Sequence, residues 1–84
     1  MSKYEIIENM KIEDLEQFSI LSFIKDMKEE DVINTYIYII DLLFHYNCLL
    51  KNTPFDTPEY NYIFRKLQLF KKVYIELEFS LLYR

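Results

Sequence analysis

From Tyr60 onward the large apolar positions fall at Tyr60, Ile63, Leu67, Phe70, Tyr74, Leu77 and Leu81, in alternating steps of three and four without a miss. That spacing keeps one side of a helix apolar and predicts a long helix over 58–83 with a coiled-coil-like seam. Its start is marked by Asn52-Thr53-Pro54-Phe55-Asp56-Thr57-Pro58-Glu59. Thr57 offers a capping hydroxyl, Pro58 suits the first helical position, and Glu59 faces the positive end of the helix dipole. A strand is the rival over Val73 to Leu81, where apolar and polar residues alternate strictly and strand formers abound. Lys71-Lys72 supplies no turn before it, and the three-four seam runs straight through, so helix is the prediction.

The preceding segment predicts a second long helix over 27–51. Its seam is Ile33, Tyr36, Ile40, Leu43, Asn47 and Leu50, broadened by Val32, Ile37, Ile39 and Phe44. Asp26 and Glu29 have capping-box spacing, and Glu29, Glu30 and Asp31 lie where the dipole favours acids. With so short a linker, the two long helices should fold back on each other. Upstream, Leu15, Phe18, Ile20, Leu21, Phe23, Ile24 and Met27 predict one helix over 12–25 that covers the open side of this hairpin. A short N-terminal turn precedes it in the alternative count, where Ser2 and Glu5 are spaced as a capping box. The expected fold is therefore all-α. It is a small three-helix bundle, or a four-helix one if the first turn is included, built on a long antiparallel helical hairpin and forming a single domain over 1–84.

Composition sharpens this picture. A chain of 84 residues buries only about 60% of its unfolded surface, enough for one core. Apolar residues make up 51% of it and aromatic ones 18%, which supplies that core and argues against disorder. Glycine is absent and the only prolines are Pro54 and Pro58, so little can interrupt a helix. Alanine is missing too, while Ile, Lys, Asn, Tyr and Phe are abundant, the signature of an AT-rich genome: a low-GC bacterium, its phages and plasmids, or a large DNA virus. Cys48 stands alone, and no basic-then-apolar leader opens the sequence. A cytoplasmic protein is expected, in the host cytoplasm if the source is viral. The apolar run from Ile33 to Leu50 is broken by Asn34, Asp41, His45 and Asn47, so no membrane span is expected.

Little in the sequence carries chemistry. Asp41, His45 and Cys48 share a helix face at i, i+4 and i+7, but three ligands on one helix cannot surround a tetrahedral ion and no other His or Cys completes the set. A surface Asp–His pair beside a half-buried thiol is the expectation, with no metal and no cofactor. Without glycine, phosphate-cradling loops are excluded, and no catalytic constellation is evident. The chain is not expected to be an enzyme. Tyr36, Tyr38, His45 and Tyr62 offer the alternative of a pocket that sequesters a small molecule or nucleotide.

Charge is uneven along the chain. The net is −4, and residues 1–31 hold Glu13, Asp14, Glu16, Glu29, Glu30 and Asp31 among nine acids against four lysines. Residues 60–84 hold five bases, including Arg65, Lys72 and Arg84, against two acids. Either the two ends pack together or one meets a partner, and direct nucleic-acid binding is not expected of so small a basic patch in an acidic chain. The most informative anomaly lies on the outer side of the last helix. Asn61, Arg65, Gln68 and Lys72 give way there to Ile75, Phe79 and Leu82, with Tyr83 beside them. Something must cover a helix that is apolar all round, either the N-terminal segment or a second chain. The expectation is a non-catalytic protein-interaction module, a homodimer through this stripe, that occupies a surface of a protein partner. A small phage or mobile-element inhibitor of the anti-defence or anti-CRISPR type has this size, charge and bias.

Overall fold

The computed structural model describes residues 5–83, which form five helices: α1 (Glu5–Glu8), α2 (Ile12–Gln17), α3 (Ile20–Ile24), α4 (Glu29–Lys51) and α5 (Pro58–Leu82). The fold is all-α, and α4 and α5 pack against each other as an antiparallel pair. Ser2, Lys3 and Arg84, and with Ser2 the capping box proposed from it, lie outside the described residues.

The turn between the long helices forms as its chemistry requires. Thr57 Oγ1 accepts from the backbone N–H of Tyr60 at 3.1 Å and Pro58 takes the first helical position. On the other side, the Asn52 amide and Thr53 hydroxyl donate to the carbonyls of Cys48 and Leu49, closing the end of α4. Asp56 adopts a positive φ of 63°. In a chain without glycine, an aspartate takes the left-handed turn, being one of the side chains that tolerate it best. The alternation at Val73 to Leu81 is helix throughout, and Leu67, Phe70 and Leu77 of the predicted seam are buried.

Three expectations need correction. The helix expected over 12–25 is two helices, broken at Phe18 and Ser19, both of which are extended. At 100° per residue an unbroken helix would aim Ile20 and Ile24 away from the side that holds Leu15. The break turns all three into one core, and Ser19 Oγ caps the new helix by accepting from Ser22 N–H at 3.3 Å. The second correction concerns the start of α4 at Glu29. Lys28 occupies the cap position without a side-chain bond, so the Asp26–Glu29 box does not form.

The third correction is the α4 seam, which consists of Val32, Thr35, Ile39, Leu42 and Tyr46, one residue ahead of the predicted one. Both rows keep three-four spacing, so the sequence pattern alone does not choose between them. α2 and α3 dock on α5, and Ile7, Leu15, Ile20 and Ile24 of the short helices share one core with this row of α4. Ile33 and Asn47 of the predicted row are left exposed. Thr35 is tolerated in the core because its hydroxyl donates to the Asp31 carbonyl at 2.7 Å, one turn back.

Candidate functional site

The hairpin has a covered side and an open side. On the covered side, the Tyr38 hydroxyl donates to Glu8 Oε2 at 2.9 Å. Burial, and then the negative carboxylate it binds, hold the Tyr38 phenol well above its ordinary pKa. Lys66 is only 5% exposed, and its Nζ donates to the Glu8 backbone carbonyl at 2.5 Å. The same ammonium lies 5.7–5.8 Å from the ring centres of Tyr46, Tyr62 and Phe70, within cation–π reach of each. Glu8 therefore ties α1 to both long helices. Ile7 beside it is fully buried. Farther along, Arg65 donates to Glu16, joining α5 to α2. No sequence pattern singled out Lys66 or Glu8. The available signal was position, since Lys66 adjoins Leu67 on the seam.

The open side carries no such cover. Tyr36 and Tyr74 stack with ring centres 5.5 Å apart and share a hydrogen bond between their hydroxyls at 3.2 Å. That bond, then burial, push the Tyr74 phenol up to about 12. Beside them Ile40, Leu43, Phe44, Asn47 and Tyr74 line a shallow groove of about 270 Å³. Large apolar side chains on its α4 flank, Ile33, Ile37 and Phe44, are exposed.

At the far end of α5 the predicted interface residues are exposed as well: Ile75 and Phe79 at 61%, Leu82 at 73% and Tyr83 at 74%. Phe79 and Tyr83 touch each other, ring centres 4.6 Å apart. No described part of the chain wraps over them. Of the charged residues singled out, Glu16 and Arg65 are paired with one another, whereas Glu13, Asp14, Glu29, Glu30 and Lys72 are exposed and Asp31 is half-buried. The acidic first segment does pack beside the basic last helix, with α2 and α3 both against α5.

The other candidate groups are not built into a site. Asp41, His45 and Cys48 are all exposed along α4, and the thiol is free; it is not half-buried as expected, because it lies two positions from buried Tyr46 and so on nearly the opposite side of the helix. No group of three or more His, Cys, Asp and Glu side chains among the described residues is arranged to hold a metal ion. Tyr36 and Tyr38, expected to share a pocket with His45 and Tyr62, lie on opposite sides of the hairpin, one bonded to Tyr74 and the other to Glu8. Two positions apart on one continuous helix, they point to nearly opposite sides in any register. Among the described residues no helix is long and apolar enough to cross a membrane. No family model matches the chain, and neither a curated protein nor a solved structure is significantly similar to it.

Proposed function

We propose that the chain is a non-catalytic protein-interaction module that acts by occupying a surface of a protein partner, with the C-terminal stripe of α5 as its contact. The observation that carries this is the exposure of Ile75, Phe79, Leu82 and Tyr83 together, on a helix whose earlier outer positions are Asn61, Arg65, Gln68 and Lys72. Leaving them in water forgoes roughly 1.5–3 kcal/mol for each large side chain that a partner would cover. Aromatic residues beside an aliphatic patch are the composition of an interface centre, and the polar first half of α5 supplies a rim. The size, the net charge of −4 and the AT-biased composition suit an inhibitor from a phage or mobile element, directed at a host protein or nucleoprotein complex. The acids at Glu13, Asp14, Glu29 and Glu30 would steer such a protein toward a basic target.

Photocrosslinking tests the assignment. With benzoylphenylalanine at position 79, a host lysate should yield one discrete heterologous adduct, and the same probe in place of Gln68 should yield none. Equal labelling from both positions, or no heterologous adduct from position 79, would remove the stripe as the contact.

A further inference from the structure

The outer side of α4 bears Ile33, Ile37, Ile40 and Phe44, three of them exposed and Ile40 lining the open groove. The steps between them are four, three and four, which read the same from either end. Two copies of such a row laid antiparallel bring Ile33 against Phe44 and Ile37 against Ile40, and the two-fold axis repeats both pairs. We infer that this row seats a second copy of the chain, α4 crossing α4 antiparallel about an axis level with Tyr38 and Ile39. This rests on the reading of the chain as an interaction module, and it leaves the C-terminal stripe of α5 to the heterologous partner.

Charge along α4 selects the antiparallel direction. The helix begins with Glu29, Glu30 and Asp31 and ends with Lys51. Crossing antiparallel carries Glu29 of one copy to within a turn of Lys51 of the other, and sets Asp41 near the Asn34 amide across the axis. A parallel pairing would place like ends side by side, with the two helix dipoles aligned. A row of four apolar side chains on one helix is a small interface beside the roughly 1,200–2,000 Å² of a standard one. The dimer is therefore concentration-dependent, formed at high protein concentration and lost on dilution.

Cys48, the only cysteine and an exposed one, reports the geometry directly. Nitroxide labels on Cys48 in the full chain should lie about 30 Å apart by pulsed electron-electron resonance, given a rise of 1.5 Å per residue on either side of the axis. A separation near 10 Å would mean a parallel pair, and one beyond about 40 Å would mean pairing about Phe79. Either result, or no dipolar signal at the highest concentration reached, overturns the inference. In sedimentation equilibrium, Ile37→Glu should weaken self-association at least tenfold with the circular dichroism unchanged, and Phe79→Glu should leave it unaltered. Glu29→Lys and Lys51→Glu should each weaken it, and the pair together should restore it. If Phe79→Glu dissociates the dimer while Ile37→Glu does not, the second copy sits on the C-terminal stripe: this inference fails and the interaction reading stands. If the labels lie near 30 Å while position 79 captures no heterologous partner, the reverse holds.

Discussion

The two sides of the α4–α5 hairpin are built from the same two helices and sort their residues in opposite ways. The covered side buries a lysine and a threonine and half-buries a tyrosine with its hydroxyl on a carboxylate, whereas the open side exposes isoleucines and a phenylalanine. Hydrophobicity alone would exchange several of them. The sorting follows the partners available instead. On the covered side, the Glu8 carbonyl, the Glu8 carboxylate and three aromatic rings satisfy Lys66 and Tyr38, and no buried side-chain nitrogen or oxygen among the described residues lacks a hydrogen bond. Polar groups there act as fasteners for short helices that could not hold by apolar area alone. The open side has one polar tie, the Tyr36–Tyr74 hydrogen bond, and its apolar side chains stay exposed within the chain.

Substitution at Lys66 should produce the largest difference between the sides. Lys66→Glu places a carboxylate against the Glu8 carbonyl and three ring faces, and should cost about 3–5 kcal/mol in urea denaturation, as expected for a buried charge stripped of its partners. Replacing Lys72, on the exposed side of the same helix, should move the midpoint by less than about 0.5 kcal/mol. A small effect at Lys66 would mean that α1 is held by Ile7 alone.

What the sequence disclosed divides along the same line. The long helices, their connecting turn and the exposed C-terminal stripe follow from local signals: the three-four spacing, Thr57-Pro58, and the change of character from Lys72 to Ile75. The covered side depends on contacts between residues far apart in sequence, and local spacing does not encode those. Glu8 and Lys66 are 58 positions apart, and neither belongs to a pattern. The same cause lies behind the one-residue displacement of the α4 seam, since two equally regular rows were present and only the packing of the whole shared core distinguishes them. The break at Phe18-Ser19 had a local signal in the Ser19 cap, but a preference for continuous helix in a glycine-free chain concealed it. The pocket among Tyr36, Tyr38, His45 and Tyr62 does not assemble because Tyr36 and Tyr38, two positions apart, face opposite sides of α4, which the helical period already implies.

A smaller effect should come from the two tyrosine hydrogen bonds, one on each side. Tyr38→Phe removes the bond to Glu8 and should cost about 1 kcal/mol, while Tyr74→Phe leaves Tyr36 with water and should cost less. Alkaline pH tests both in the unmodified chain. Tyr38 and Tyr74 have pKa values raised above the ordinary phenol value of 10.0, Tyr74 to about 12. Because the folded chain holds these protons more tightly than the unfolded one, their contribution is complete below pH 10 and declines as pH rises toward 12 and beyond. Urea midpoints should fall over that window. In Tyr74→Phe the fall between pH 10 and 12 should be shallower, and an unchanged slope would show that the Tyr36–Tyr74 pair does not form in solution.

The smallest effect is expected at the centre of the open side, where Phe44→Ser should change stability by less than about 0.5 kcal/mol when measured on dilute protein. A phenylalanine in a core would cost about 3–5 kcal/mol on truncation, through lost transfer energy and the cavity left behind. Phe44 is 69% exposed and borders an open groove, so its removal opens no enclosed cavity and returns little surface to water. Dilution matters because any association through this face would add stability to the native state in proportion to occupancy, and Phe44→Ser would then look destabilising at high concentration alone. Comparing urea midpoints at two concentrations separates the cases. A concentration-independent loss of more than about 1.5 kcal/mol would place Phe44 in the intrachain core and erase the distinction between the two sides. A loss that appears only in concentrated samples would locate its contribution between chains.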